Sequence, residues 1–329
     1  MNKKLIAGAL SALMAATALS ACGGNDSPNG DGSAAAAGSG KVSLIAKANA
    51  SDYWTLVKNG AMAAGKDLGV EVNFNGPDTE SEGDKQLNQL DNAINDKPLG
   101  VGFAPQDGAQ DGAPNYLKKA KEAKIPVVLF DTALSSPSDV PLTVIASDNK
   151  SVGAEAAKHM CELAGGKGEV AIVAHGLVGT AAQRRDGFKE AIAKDCTGMK
   201  LVDVQNGESD PAKSRDKAQG ILQAHPQLAG FFGTDDDSVI AIADQVKQMN
   251  SKAKVIGVDF TPDVQSQLEG DQISGVMVQN PYQIGYDTVK TLVEASKGTQ
   301  PSSKNIVMPA IWVNKDNLQT EEVKKVIGA

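Results

Sequence analysis

Residues 255–262 read V-I-G-V-D-F-T-P, a short apolar strand over 255–258 that ends on one carboxylate, Asp259, and turns at Pro262. In an open α/β sheet, ligands sit outside the carboxyl ends of the strands. An acid at that position faces a crevice rather than a core. The same design stands 128 residues earlier as V-V-L-F-D-T, with Asp131 in the place of Asp259. The chain therefore reads as two copies of one half, facing each other across the two aspartates.

The repeat recurs along the chain. V-S-L-I-A at 42–46 is echoed by V-A-I-V-A at 170–174, Gly60 by Gly187, and Phe103 by Phe232, each within one residue of the same offset. A period this long marks a duplicated domain, not a solenoid unit. Short apolar runs alternate with longer helical patterns, which predicts parallel sheets covered on both faces. In the first copy strands are expected over 42–46, 70–74, 99–103, 127–130 and 142–145, with helices over 53–68, 83–95 and 113–123. Asp52 is the expected cap of the first helix. In the second copy helices are expected over 152–163, from 184 onward, and over 212–224 and 238–249. Its strands fall over 170–174, 201–204, 230–232, 255–258 and 273–278. Crossovers near 146–149 and 279–281, and a third passage over 307–313, join the halves as a hinge, the second returning the chain for a helix over 285–294. The expected class is α/β, with two similar doubly wound parallel-sheet lobes joined by a multi-crossover hinge. The first lobe takes 41–146 with 280–308, and the second takes 147–279 with 309–329.

Composition bounds the function. The chain has 329 residues, 41% of them hydrophobic, enough for two proper cores. The formal net charge is -8, and discarding the first 21 residues with Lys3 and Lys4 makes the remainder more negative still. Nucleic acid is excluded as a partner, because phosphate binding needs clustered Lys and Arg. Aromatics are scarce, at 4%, so the neighbouring pair Tyr53-Trp54 stands out.

Residues 1–21 read as a signal peptide, with Lys3 and Lys4 as its basic start and an apolar run over 5–19 too short to span a membrane. Leu19-Ser20-Ala21-Cys22 resembles the lipobox of bacterial lipoproteins, which implies cleavage before Cys22 and lipid on that cysteine. Residues 22–40 are then a Gly, Ser and Ala tether that holds the body just off the outer face of a cell membrane, or on the periplasmic side in a two-membrane cell. No contact with the membrane other than the lipid anchor is expected. Cys161 and Cys196 remain, and in an oxidising compartment a disulfide and two free buried thiols are both open. Neither cysteine has metal-ligand spacing, nor do His159, His175 and His225, which read as structural or surface residues.

Several motifs carry a family likeness: Ile145-Ala146-Ser147-Asp148-Asn149, Gly179-Thr180-Ala181-Ala182, Arg184-x-x-Gly187-Phe188, Ala224-His225-Pro226, Val258-Asp259-Phe260-Thr261-Pro262-Asp263 and Gln283-Ile284-Gly285. With them the chain resembles the substrate-binding proteins of bacterial ABC importers, in the type I group that includes the ribose-binding protein. The likeness runs from Lys41 to about Val313. The repressors that share this fold carry an N-terminal helix-turn-helix, and here a lipoprotein signal stands in its place.

The resemblance implies a site. Two lobes close on a sugar, with aromatic rings over its C–H faces and carboxylate, amide and guanidinium groups on its hydroxyls. It places the rings on Tyr53 and Trp54, the carboxylates on Asp131 and Asp259, the guanidinium on Arg184, the second-lobe strand-end acid on Asp235 and the hinge amide on Gln279. Lys47 and Ser51 fall on polar contact positions of the first loop, and Thr132 and Ser209 on further contact positions. A ribose binder has Asp-Arg where this chain has Asp131-Thr132, Asn for Asp235, Phe-Phe for Tyr53-Trp54, Phe for Ser209 and a small hydroxyl residue for Lys47. The ligand is therefore left as a pentose, hexose, polyol or amino sugar. Lys47 and Asp131 also resemble the autoinducer-2-binding branch, which departs at Thr234-Asp235-Asp236. Within the run Asp235-Asp236-Asp237, one acid is expected to face the ligand and another to cap the helix that begins at Ser238. Arg184→Ala and Asp259→Ala are each expected to weaken binding without unfolding the protein.

The partners so implied are a small sugar or polyol and ABC permease subunits, for a monomeric protein with no cofactor and no metal. Two alternatives stay open: a signal-binding protein feeding a sensor, and a glycoside-processing enzyme using the two aspartates. No nucleophile motif such as G-x-S-x-G supports the enzyme.

Overall fold

The computed structural model describes residues 40–49, 51–106 and 108–327. The expected signal peptide, Cys22 and the tether up to residue 39 lie outside them.

The first repeat gives β1 (Lys41–Ile45), α1 (Asp52–Leu68), β2 (Glu71–Asn75), α2 (Gly83–Asn95), β3 (Gly100–Phe103), α3 (Ala113–Glu122), β4 (Val127–Phe130) and β5 (Pro141–Ser147). The second gives α4 (Asn149–Leu163), β6 (Gly168–Ala174), α5 (Gly179–Asp195), β7 (Met199–Asn206), α6 (Pro211–Ala224), β8 (Gly230–Gly233), α7 (Asp236–Gln248), β9 (Lys254–Val258), α8 (Pro262–Glu269) and β10 (Gly275–Val278). The chain closes with α9 (Pro281–Ser296), β11 (Asn305–Met308), β12 (Ile311–Val313) and α10 (Glu321–Ile327).

Two six-stranded sheets result, in the orders β2-β1-β3-β4-β5-β11 and β7-β6-β8-β9-β10-β12. The orders superpose under the sequence repeat. Pairing is parallel throughout except between β12 and β10. Strand order reverses around β1 in one sheet and β6 in the other, which are the switch points where such sheets bind ligands. Strands β3, β4, β8 and β10 are buried along their whole length, as expected for strands covered on both faces.

Each sheet carries a core on both faces. Val42, Leu44, Trp54, Phe130 and Ile284 pack under α1 and α9, while Leu90, Phe103, Leu117 and Leu129 pack under α2 and α3. In the second sheet, Met160, Ile172, Phe188 and Phe232 lie under α4 and α5, and Phe231, Ile242, Val255 and Leu268 lie under α6, α7 and α8. Glycine sets the closest helix pairs. A Cβ on Gly60 would strike the Tyr282 carbonyl, and one on Gly285 the Val57 carbonyl, so α1 and α9 touch backbone to backbone. Gly187 and Gly153 do the same for α5 and α4, against Lys150 and Arg184.

The chain passes between sheets three times: from β5 into α4, from β10 into α9, and from β11 to β12. The third passage was expected as one segment over 307–313. Pro309 removes a ladder donor and splits it into β11 and β12, one for each sheet. The short helices α8 and α10 were not anticipated. Ser51, not Asp52, caps α1: Ser51 is extended (φ -91°) and its hydroxyl accepts from the Trp54 N–H, while Asp52 is already helical.

Cys161 in the last turn of α4 and Cys196 at the end of α5 are joined as a disulfide, with Cα atoms 6.1 Å apart. Closing a span of 35 residues removes freedom from the unfolded chain, so reduction is expected to cost about 2–4 kcal/mol. Urea melts with and without dithiothreitol check this, and coincident midpoints would refute it.

Candidate functional site

The two sheets present the carboxyl ends of their strands to one cavity of about 380 Å³. Lys47 follows β1, Asp131 follows β4, His175 follows β6, Asp235 follows β8, Asp259 follows β9 and Gln279 follows β10, and all six line it. Asp131 and Asp259 hold the same backbone pose. Both are left-handed (φ 62° and 75°), and each donates its N–H to the next strand, at Ile145 and Met277, over 2.9 Å. Neither caps a helix among the described residues. Thr261 caps α8, accepting from Val264.

On the first lobe the polar groups are locked together. Lys47 and Asp131 are 4% and 5% exposed and pair at 2.9 Å. The Tyr53 hydroxyl donates to Asp131 Oδ1 at 2.7 Å and the Thr132 hydroxyl to Oδ2 at 2.8 Å. Burial alone would raise the Asp131 carboxyl, but Lys47 and these hydroxyls outweigh it and hold the group below its usual value. Burial pulls the Lys47 ammonium down, while Asp131 and Glu80 together push it above its usual value. Trp54 meets Tyr53 edge-on at 5.0 Å and Phe130 at 6.2 Å, and its indole N–H donates to Glu80 at 2.7 Å.

On the second lobe Arg184, 3% exposed, donates from Nε to Asn149 and from Nη1 to the Thr234 carbonyl, both at 2.7 Å. Its contact with Asp259 is longer, at 3.5 Å. Gln279 donates to the other oxygen of Asp259 at 2.6 Å. Burial raises Asp259 to about 6, because the guanidinium that opposes this is shared with Thr234. Asp235 forms a capping box with Ser238 at the start of α7. Asp236 and Asp237, on the first turn, line the cavity with no side-chain partner among the described residues.

Of the predicted contacts, Lys47, Ser51, Tyr53, Trp54, Asp131, Arg184, Ser209, Asp235, Asp259 and Gln279 converge on the cavity. Thr132 does not. It borders a neighbouring depression with Ser147 and Asn149, and acts on the cavity by holding Asp131. The roles expected within the acidic run also shift. Asp235 is itself the cap, while Asp236 and Asp237 supply free carboxylates. Glu80 and Thr180 also line the cavity without a sequence signal that marks them, and His175 reads from the sequence as structural or surface. His175 lines the cavity beside Thr234 (2.7 Å) and Thr180 (3.3 Å). The repeat held the signal, because His175 stands 128 residues after Lys47.

Burial, helped by Arg184, lowers His175 to about 3, against about 6.5 in an unfolded chain. Between those values the unfolded chain takes a proton that the folded one refuses, so stability falls as pH drops below 6.5. Asp259 and Asp237, each raised to about 6, act in the opposite sense over pH 4–6. The comparison that isolates the histidine is wild type against His175→Asn. The variant is expected to gain about 2 kcal/mol on wild type between pH 7 and pH 5. Parallel stability profiles would refute the burial of a neutral imidazole.

No group of three or more His, Cys, Asp or Glu among the described residues is arranged to hold a metal ion. The arrangement is a built polar pocket bordered by the ring of Tyr53, with Trp54 almost wholly buried behind it, suited to a small molecule rich in hydroxyls.

Comparison with known proteins agrees with this geometry. Residues 42–300 match the family model described as a periplasmic binding protein domain. The chain is 28% identical over 267 residues to the D-allose-binding periplasmic protein of Escherichia coli, covering 78% of this chain and 85% of that one. A carbohydrate transporter solute binding protein from Agrobacterium radiobacter, solved with D-arabinose, superposes with a TM-score of 0.82 at 26% identity, over 88% of this chain and 99% of that one. An ABC transporter solute binding protein from Agrobacterium vitis with bound D-fucose gives 0.81 at 30% identity, over 87% and 99%.

Proposed function

We propose, from the premise that this chain belongs to the periplasmic binding protein domain family, that it is the solute-binding subunit of an ABC importer and captures a monosaccharide or related polyol between its lobes. The observation that carries this reading is the convergence of Asp131, Asp259, Arg184, Tyr53 and Trp54 on one cavity at the strand ends of both sheets. The relatives' sugar ligands support the same reading. The ligand's hydroxyls meet Lys47, Asp131, Arg184, Asp235, Asp259 and Gln279, its apolar face meets Tyr53 and Trp54, and Ser51 and Ser209 close the rim.

The lobes comprise 41–146 with 280–308 and 147–279 with 309–329, in keeping with the membership of the two sheets. Open and closed arrangements exchange about the three crossovers, and a ligand that touches both lobes shifts the population to closed. The closed form docks on a permease. The protein is exported, works as a monomer and is tethered by lipid on Cys22. Among the described residues no helix is long and apolar enough to cross a membrane.

A thermal-shift screen of aldopentoses, hexoses, polyols, amino sugars and autoinducer-2 tests the reading. A ligand at 100 times its Kd adds about 2.7 kcal/mol of stability. One hit recovered unchanged is the expected result. A hit converted to product would replace binding by catalysis.

A further inference from the structure

The cavity is unevenly provided with charge. Lys47 and Arg184 are its cations among the described residues, and both stand toward Asp131 and Asp259. Arg184 Nη2 has no partner among the described residues, although the side chain is almost wholly buried in the cavity wall. Two of the three Lys47 ammonium protons are likewise without a described partner. This end of the cavity therefore offers donors as well as acceptors, which is what hydroxyl groups need.

Over the rest of the wall the charged groups are carboxylates alone, beside neutral hydroxyls such as Thr79, Thr180 and Thr261. Asp52, Asp78 and Glu80 come from the first repeat, and Asp236, Asp237 and Asp263 from the second. None of these six makes an ion-pair contact with a cation lining the cavity, although Glu80 stands near enough to Lys47 to help raise its ammonium. Lys85 reaches Asp78 from outside it. Drawing the lobes together brings the carboxylates of both repeats toward one another, at an energetic cost that a neutral sugar leaves in place. Asp237 and Asp236 feel this crowding, for burial and the neighbouring acids raise both carboxyls. No metal-holding arrangement is present among the described residues, so a bound cation is not the remedy. The indole N–H of Trp54, itself buried, donates to Glu80 and holds that carboxylate in the wall, while Tyr53 stands against Asp131 at the other end.

We infer that the ligand is an amine-bearing monosaccharide. Its hydroxyl edge lies against Lys47, Asp131 and Arg184, and its ammonium between Glu80 of the first lobe and Asp236 and Asp237 of the second. The inference rests on the sugar-capture reading and narrows its substrate class. It also predicts weaker binding of sugar acids and sugar phosphates, because carboxylates outnumber Lys47 and Arg184 around the cavity.

The test is calorimetric titration of the full mature protein with the 2-, 3-, 4- and 6-aminodeoxy forms of glucose and galactose, each beside its hydroxyl parent and its N-acetyl form. At least one aminodeoxy sugar is expected to bind ten or more times tighter than both counterparts. Asp236→Asn with Asp237→Asn should lower the ratio of aminodeoxy to hydroxyl-parent affinity at least tenfold. Hydroxyl parents that bind as tightly as every aminodeoxy form would overturn the ammonium and leave sugar capture standing. An amine preference that survives the double substitution would overturn the assignment to these acids. Silence across the whole panel would overturn the amine-bearing hexose, and silence in the wider screen of pentoses and polyols as well would overturn sugar capture.

Discussion

Lys47→Met is expected to destabilise the protein by about 3–5 kcal/mol, because it leaves one carboxylate buried without its counter-charge. Asp131 is 5% exposed and meets Lys47 at 2.9 Å. Without the ammonium it keeps only the hydroxyls of Tyr53 and Thr132, two neutral donors against the desolvation of a full charge. The carboxyl that Lys47 now holds below its usual value would rise, and part of the population would protonate. Adding Asp131→Leu should restore much of the loss, since replacing a whole buried pair by apolar groups is often neutral. Urea unfolding of wild type, both single variants and the double variant measures the coupling. A single-variant cost below about 1 kcal/mol would mean that water reaches the pair.

Arg184→Ala is expected to lower monosaccharide affinity at least 100-fold and to cost stability as well. The guanidinium holds Asn149 and the Thr234 carbonyl at 2.7 Å, and Asp259 at 3.5 Å. Charge-assisted hydrogen bonds are worth about 1.5–3 kcal/mol each, and each 1.4 kcal/mol is tenfold in affinity. The orphaned carbonyl and amide oxygen are paid for in the ligand-free protein too, about 1–3 kcal/mol apiece. The variant is expected to weaken binding without unfolding the protein, but with that cost in stability. Arg184 braces α4 and the ends of β8 and β9 in addition to its proposed ligand contact. Lysine should not rescue it, having no planar fork to span three acceptors. An affinity within threefold of wild type would remove Arg184 from the site.

The repeat made most of this architecture readable in advance. Two apolar strands ending on aspartate, 128 residues apart, placed Asp131 and Asp259 in equivalent left-handed poses at the cavity. What escaped was set by tertiary context. His175 differs in chemistry from its counterpart Lys47, so residue type hid the shared position. Glu80 sits in the loop after β2, and its place in the wall depends on the Trp54 indole, which no local pattern reports. Ser51 and Asp52 are both good caps, and only the backbone at Ser51 decides between them. Asp235 could face a ligand or cap α7, and the structure gives it both places: it accepts from the Ser238 N–H and lines the cavity. Thr132 follows Asp131, but the left-handed turn at Asp131 carries it to the neighbouring depression.

The decisive measurement is titration calorimetry of the best monosaccharide against wild type and Asp259→Asn. This near-isosteric variant removes the charge between Arg184 and Gln279 with little change of shape. One site per chain, a sugar recovered chemically unchanged, and at least a tenfold loss of affinity in the variant are expected. Equal affinity in the two proteins, or consumption of the sugar, would mean that capture between Asp131 and Asp259 is not what this chain does.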